Sequence, residues 1–206
     1  DTTRTYFEKL AQIAPPADAQ RFRDLLAPAR SASVQRYFAE NEPKFYSMLR
    51  TSVVPTMLKA GVGANVIPSE ASVTLDIRAL PDENIEAFYE QMRKVINDPA
   101  VTLVPDQANQ RPGAPASKTD SEMYFAIQAA NKKVYNIPTL PYMNTGATDM
   151  AFLRAKGVQC YGIGPAVDDE DGAKGFGPHS DQERILETEL HKFVRYHYEI
   201  VKNLAK

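Results

Sequence analysis

Ala71-Ser72-Val73-Thr74-Leu75-Asp76-Ile77-Arg78 is followed closely by Asn84-Ile85-Glu86-Ala87-Phe88-Tyr89-Glu90-Gln91-Met92-Arg93-Lys94-Val95-Ile96, and the change of rhythm between the two decides the fold. In the first stretch Ala71, Val73, Leu75 and Ile77 alternate with Ser72, Thr74, Asp76 and Arg78. A period of two is that of a strand with one apolar and one polar face, so a half-buried antiparallel strand is expected. In the second, Ile85, Phe88, Tyr89, Met92, Val95 and Ile96 fall on one side of a 3.6-residue helix, with Asp82 or Asn84 available to cap it.

Working outward, Arg50 to Lys59 is rich in β-branched residues and predicts a partner strand. Gly61-Val62-Gly63-Ala64-Asn65-Val66-Ile67-Pro68-Ser69 lies between the two strands, and its glycines and proline suit a loop that can approach a ligand closely. Val101 to Val104 reads as a further short strand, which would complete most of a sheet with helices on one face. Upstream, Tyr6, Leu10 and Ile13, then Phe22, Leu25 and Leu26, keep helical spacing. Ala14-Pro15-Pro16 and Pro28 interrupt it, so short helices joined by turns are expected.

Pro105 to Pro115 replaces the apolar pattern with turn formers, and a domain boundary is placed there. Beyond it the pattern predicts helices over 119–134, 148–156 and 186–204, with strands around 139–143 and 158–163. This alternation is that of an α/β sheet, but two strands make only half of one. The expected organisation is therefore residues 1–110 as one domain and 111–206 as part of a second.

With 43% hydrophobic and 24% charged residues the 206-residue chain has ordinary globular composition, and disorder is not expected. A formal net charge of −2 offers no footprint for nucleic acid or anionic lipid, which leaves small molecules or proteins as partners. No apolar run approaches the ~20 residues that span a bilayer, so the reading is a soluble chain, with cytoplasmic, periplasmic and secreted settings all open. The single cysteine, Cys160, excludes an internal disulfide, and its apolar run Val158 to Ile163 makes it a packed thiol rather than a nucleophile. The start at Asp1 without an initiator Met is read as a processed or partial chain.

Three stretches carry candidate chemistry. Arg78 could grip a carboxylate through two parallel hydrogen bonds and Asn65 could donate to a developing oxyanion, but a polar strand face also carries ion-paired arginines routinely. In Thr145-Gly146-Ala147-Thr148-Asp149 a strand-to-helix turn could offer backbone N–H groups to an anion, while Thr148 or Asp149 could simply cap the helix. His179 sits in the loop Gly175-Phe176-Gly177-Pro178-His179-Ser180-Asp181-Gln182-Glu183-Arg184, free to ligate a metal or to be a surface histidine. His191 and His197, six positions apart on a helix, cannot share one ion with each other. The run Asp168-Asp169-Glu170-Asp171 lacks the alternating ligands of a calcium loop and reads as a solvated loop.

Taken together, Gly63-Ala64-Asn65-Val66-Ile67-Pro68-Ser69-Glu70-Ala71 running into Leu75-Asp76-Ile77-Arg78, then Thr145 to Asp149, then His179 to Ile185, resemble the co-catalytic zinc amidohydrolases and peptidases. That family includes aminoacylase-1, acetylornithine deacetylase and the carboxypeptidase S group. The resemblance implies an α/β architecture: an α+β, ferredoxin-like lid sheet with helices on one face, followed by an incomplete α/β zinc-peptidase domain. By position, His179 resembles the last zinc ligand, Arg78 the arginine that holds the substrate carboxylate, Asn65 the lid asparagine beside it and Gly146 a backbone contact in the cleft. No catalytic residue is assigned, because the family's His-x-Asp pair, bridging Asp, Glu-Glu pair and lid histidine have no counterpart in the sequence. Ser180 stands where the family usually has Gly, and Thr145-Gly146-Ala147-Thr148 replaces a Gly-Gly-Thr turn.

The resemblance also implies a metallopeptidase or aminoacylase-type hydrolase acting on small peptides or N-acyl amino acids with a free carboxylate. The intact enzyme would use two zinc ions, and these residues alone would hold none stably and would be inactive. A homodimer through the lid sheet is implied as well. Two rivals stand beside this reading: a non-catalytic dimerisation module, and a carboxylate-ligand sensor built on Arg78 and the Asn65 loop without metal.

Overall fold

A computed structural model describes residues 2–108, 110–113, 115–166 and 169–205. The elements run α1 (Thr2–Ile13), α2 (Pro16–Leu26), α3 (Pro28–Asn41), α4 (Pro43–Ser47), β1 (Ser52–Ala60), β2 (Ala71–Arg78) and α5 (Ile85–Ile96). They continue with α6 (Glu122–Val134), α7 (Met150–Arg154), α8 (Asp169–Ala173) and α9 (Glu187–Leu204). The chain is thus mixed helix and antiparallel sheet. It divides into two compact units, one made of Asp1–Ala116 with Tyr142–Gly157 and the other of Ser117–Pro141 with Val158–Lys206.

The first unit opens with the expected short helices. Pro16, Pro28 and Pro43 each stand in the first turn of α2, α3 and α4, where the missing N–H has no partner to lose and the fixed φ suits the helix. The prolines that break one helix therefore start the next. Phe7, Phe22, Leu25, Val34 and Phe38 form a buried core between α1, α2 and α3, with Phe45 of α4 packed against it. Phe7 and Phe38 are 1% and 0% exposed, and their rings stack at 6.1 Å. Burying each such ring is worth about 1.5–3 kcal/mol, so this cluster is the main apolar anchor of the unit.

β1 and β2 pair antiparallel from Ser52 opposite Arg78 to Ala60 opposite Ala71. The register slips between Pro55 and Met57. Pro55 has no ladder donor, and an extra residue beside it is a β-bulge; Thr56 hydrogen-bonds sideways from its Oγ1 to the Thr74 carbonyl at 3.2 Å. α5 takes the second of its two expected caps, the Asn84 side chain accepting from the Ala87 N–H at 3.0 Å. It ends on Asn97 with φ +48°, a left-handed C-cap.

Four features differ from the reading of the pattern. Val101 to Val104 forms no third strand, and among the described residues the sheet has two strands. β2 is not half-buried: Leu75, Asp76 and Ile77 are partly covered and the rest of the strand is exposed on both faces. α5 buries no residue, so its apolar side does not close a helix layer over the sheet. Residues 139–143 and 158–163 are irregular rather than strands. A period-2 or continuous apolar pattern makes a strand possible, but a strand also needs a neighbouring edge to exchange hydrogen bonds with.

In the second unit that requirement is met by side chains. Ser117 Oγ donates to the Cys160 carbonyl at 2.8 Å and accepts from the Cys160 N–H at 3.0 Å, while the Lys118 N–H donates to the Gln159 side-chain carbonyl at 2.7 Å. Cys160 is buried, as expected of a packed thiol. α6 and α9 pack together through Ala126, Ile127, Ala130, Tyr196 and Ile200. Ala126 and Ala130 lie four residues apart, so two small side chains line the contact and let the helices approach closely. No described helix is long and apolar enough to cross a membrane.

Candidate functional site

Arg78 closes β2 opposite Ser52, at the end of the paired ladder. Its guanidinium grips the Asp76 carboxylate with Nε to Oδ1 at 2.7 Å and an Nη2 donor to Oδ2 at 2.7 Å. Residues two apart share a strand face, so the sequence itself supplies Arg78 with a carboxylate. The ion-paired alternative is the one the structure displays. The fork geometry is nonetheless that of carboxylate recognition, and both partners are partly exposed, at 44% and 38%.

Asn65 lies in the exposed β1–β2 loop, beyond Gly61, whose φ of +77° turns the chain out of β1 in a conformation that suits glycine. The Val66 N–H returns to the Gly63 carbonyl at 3.2 Å and closes a turn around Asn65. Among the described residues the Asn65 side chain makes no hydrogen bond.

Gly146 follows an Asx turn in which its N–H donates to the Asn144 side-chain carbonyl at 2.8 Å. A Cβ at Gly146 would meet that same oxygen at 3.2 Å, tight enough to push it aside. Two residues on, the Thr148 hydroxyl accepts from the Met150 N–H at 3.4 Å, which makes Thr148 rather than Asp149 the side chain that caps α7. Asp149 instead faces Arg111 at 3.6 Å.

His179 is an exposed loop residue with φ +69°, in the left-handed region that non-glycine residues visit at a cost. Its N–H donates to Glu183 Oε2 at 3.0 Å, so the carboxylate that sequence spacing puts beside the imidazole holds the backbone instead. Of the acidic run before it, Asp168 and the Asp169 side chain lie outside the described residues; Glu170 pairs with Lys174 and Asp171 with Arg184. The stretch from Asp169 begins a short helix, α8, rather than a loop. Arg184 holds Asp171 in two hydrogen bonds of 2.9 and 2.5 Å and lies 4.1 Å over the Phe176 ring. Those hydrogen bonds keep the Asp171 carboxyl below its ordinary pKa.

Arg78, Asn65 and Gly146 belong to the first unit and His179 to the second. Within the first unit no hydrogen bond or ion pair among the described residues joins any two of the three. A cavity of about 990 Å³ in that unit is lined by Arg4, Phe7, Leu25, Met48, Leu80 and Met143 among others, and none of the three borders it. A zinc centre needs three or more converging His, Cys or carboxylate ligands. Among the described residues no such group exists, so these residues do not fit a complete metal centre.

Sequence reading named the candidates, and Glu183 beside one of them, but not the bonds that hold them. Asp76, Asn144, Glu183 and the Asp171–Arg184 pair each satisfy or frame one of them. Three of the four partners stand within four positions of their target, the range in which strand-face and turn hydrogen bonds form, and could have been found on that ground. The Asp171–Arg184 pair spans 13 positions and carries no such local signal.

Residues 8–103 match a family model described as a peptidase dimerisation domain. Aminoacylase-1 of Homo sapiens is 34% identical over 117 residues, which are 56% of this chain and 28% of that protein. The Dictyostelium discoideum protein named Probable carboxypeptidase S-like 2 is 25% identical over 166 residues, 80% of this chain and 31% of its own length. N-fatty-acyl-amino acid synthase/hydrolase PM20D1 of Xenopus tropicalis is 25% identical over 169 residues, 80% of this chain and 32% of its own. The chain thus spans less than a third of the length of these curated relatives. No solved structure matches. The resemblance read from the three motifs is therefore shown independently: this chain is similar to the peptidase and aminoacylase family, and its relatives are named as hydrolases.

Proposed function

We propose that this chain, similar over residues 8–103 to a peptidase dimerisation domain, is part of a zinc-dependent amidohydrolase that cleaves the amide of N-acyl amino acids or small peptides with a free carboxylate. The observation that carries the reading is the two-bond grip of Arg78 on a carboxylate at the end of β2. In the working protein that grip passes from Asp76 to the substrate. Asn65, in the β1–β2 loop at the opposite end of the hairpin from Arg78, offers a separate amide donor, and the Gly146 N–H offers another once Asn144 yields it.

His179 contributes one ligand to the metal centre, and the remaining ligands and the general base are not among these residues. Zinc, when bound by a complete set, polarises a carbonyl and lowers the pKa of water. The 206 residues should accordingly be inactive alone. In domain terms, residues 1–110 form the lid, whose full sheet is ferredoxin-like, and residues 111–206 the returning part of the catalytic domain.

Zinc calorimetry on the purified chain, with His179→Ala as control, tests this. Weak binding that depends on His179, with no zinc-dependent hydrolysis of an N-acetyl amino acid, is the expected result. Tight stoichiometric binding or turnover would overturn it. A second role, self-assembly, is favoured by the exposure of the β1–β2 hairpin: among the described residues each strand pairs only with the other and leaves one edge open, with Val53, Met57, Leu58 and Val73 exposed beside it. A sedimentation mass that stays monomeric at every concentration would exclude it.

A further inference from the structure

The His179 loop is closed by bonds that the ligand reading alone does not require. Asp171 binds the chain on both sides of His179: its carbonyl accepts from the Phe176 N–H at 3.0 Å, and its carboxylate receives Arg184 at 2.9 and 2.5 Å. The guanidinium then covers the Phe176 ring at 4.1 Å. Residues 171 and 184 are thereby fixed to each other across the loop, and residue 176 is fixed to both. Within this frame Gly175, at φ +82°, reverses the chain, and a Cβ there would meet no steric obstacle, so only its backbone conformation demands glycine. The Ser180 N–H reaches the Gly177 carbonyl at 3.2 Å, the Glu183 N–H reaches the Ser180 carbonyl at 3.1 Å, and the Glu183 carboxylate takes the His179 N–H at 3.0 Å.

We infer that the Asp171–Arg184 pair, stacked on Phe176, is a positioning device that holds the His179 loop in its left-handed conformation and so fixes where the imidazole stands. Arg184 and Asp171 act through the loop and touch no reacting group. A bidentate guanidinium held on an aromatic face is the arrangement in which Arg cannot be replaced by Lys, because the ammonium offers neither the fork nor the flat stacking surface. Without it, the positive φ at His179 would rest on the Ser180–Gly177 turn bond and the Glu183 contacts, none of which ties the turn to the chain outside residues 177–183, and a non-glycine residue held there relaxes when its surroundings stop over-determining it. The inference rests on the reading of His179 as a functional histidine, and the experiment separates the two.

The test uses the 206-residue chain with Arg184→Ala, Arg184→Lys and Asp171→Ala. Amide exchange is read at residues 175–184 and, as a folding control, along α9, together with the His179 imidazole resonances by NMR. Loss of the pair should raise exchange at His179, Ser180 and Glu183 at least tenfold while α9 amides stay within twofold, and should shift and broaden the imidazole signals. Arg184→Lys should behave like the alanine variant. Unchanged loop exchange in all three variants overturns the device, and so does faster exchange with an unmoved imidazole, which would make the pair merely a staple of the loop. Zinc titration of the same variants separates the readings. If His179→Ala leaves zinc binding unchanged, the metal role of His179 fails, and the device still stands or falls on the exchange and imidazole results.

Discussion

Arg78 Nε lies 2.7 Å from Asp76 Oδ1, so the arginine assigned to a substrate carboxylate already holds one of its own strand. Both side chains are partly exposed, and surface pairs of this kind are worth about 0.2–1 kcal/mol. A ligand carboxylate must therefore compete with Asp76, but only weakly. Asp76→Asn should raise the affinity of the chain for an N-acetyl amino acid about two- to fivefold, and Arg78→Ala should abolish it. An NMR titration following the Arg78 side-chain Nε–H gives both results, and an affinity indifferent to Asp76→Asn would show that the pair does not gate the site.

Phe38 is 0% exposed and packs against Phe7, Phe22 and Phe45 at ring separations of 6.1, 6.3 and 5.4 Å. Truncation removes the contacts of three rings at once and leaves a void that helices fixed by prolines at their first turns cannot easily close. Phe38→Ala should cost about 3–5 kcal/mol, seen as a lower denaturation midpoint of the first unit. Ile13, on the same helix as Phe7 but 53% exposed, should tolerate Ala with a change within about 0.5 kcal/mol.

Phe7 itself shows how far the sequence can be read. Spacing singles out Tyr6, Leu10 and Ile13, yet Phe7 is the residue buried to 1%, because periodicity gives a face of a helix but not which residue on it points at the neighbouring helix. The β1–β2 pair, α5 with its Asn84 cap, α6 and α9 are legible because each writes a full period locally. Residues 101–104, 139–143 and 158–163 are not, since their apolar runs state a preference for strand while the edge that would satisfy it lies elsewhere in the chain or is replaced by side chains such as Ser117. At the candidate site the motifs single out Arg78, Asn65, Gly146 and His179. That the Gly146 and His179 N–H groups are already taken follows from Asn144 and Glu183, two and four positions away, and only a reading of turn hydrogen bonds finds it.

Ser117 stands in for a strand partner, donating to and accepting from the backbone of buried Cys160. Ser117→Ala removes both hydrogen bonds at one stroke, and the expected loss is about 1–3 kcal/mol. Because Cys160 is the only thiol in the chain, labelling with a disulfide reagent reads the effect directly: slow in the parent and much faster in the variant. Equal labelling rates would mean that packing, not Ser117, protects the thiol.

Lys133 of α6 binds Glu199 of α9 at 2.7 Å, and that hydrogen bond holds the Glu199 carboxyl below its ordinary value of 4.5. A carboxylate with a depressed folded-state pKa stabilises above the unfolded value and loses that stabilisation as pH falls through the folded one. Stability of the α6–α9 pair should therefore decline below pH 4.5, and Glu199→Gln should flatten that decline. Salt should shrink the difference, since Lys133 is 59% exposed.

Tyr196 provides the opposite limit of pH. It is 3% exposed between α6 and α9, its ring 5.6 Å from that of Tyr135, and burial, with a smaller contribution from Tyr135, pushes its pKa from 10.0 up to about 12. The neutral phenol is thus favoured in the folded chain, while in the unfolded chain the same phenol ionises at its ordinary value. Below pH 10 both states are protonated and the stabilisation is fully present; between pH 10 and about 12 only the unfolded state releases the proton, and stability falls with each step of pH. Tyr135, raised mainly by burial as well, steepens the same decline. Tyr196→Phe keeps the ring and removes the proton, so it should weaken the alkaline decline without abolishing it, while tyrosinate absorbance loses its latest-titrating component. A variant whose unfolding follows pH as steeply as the parent would place the alkaline sensitivity on another residue.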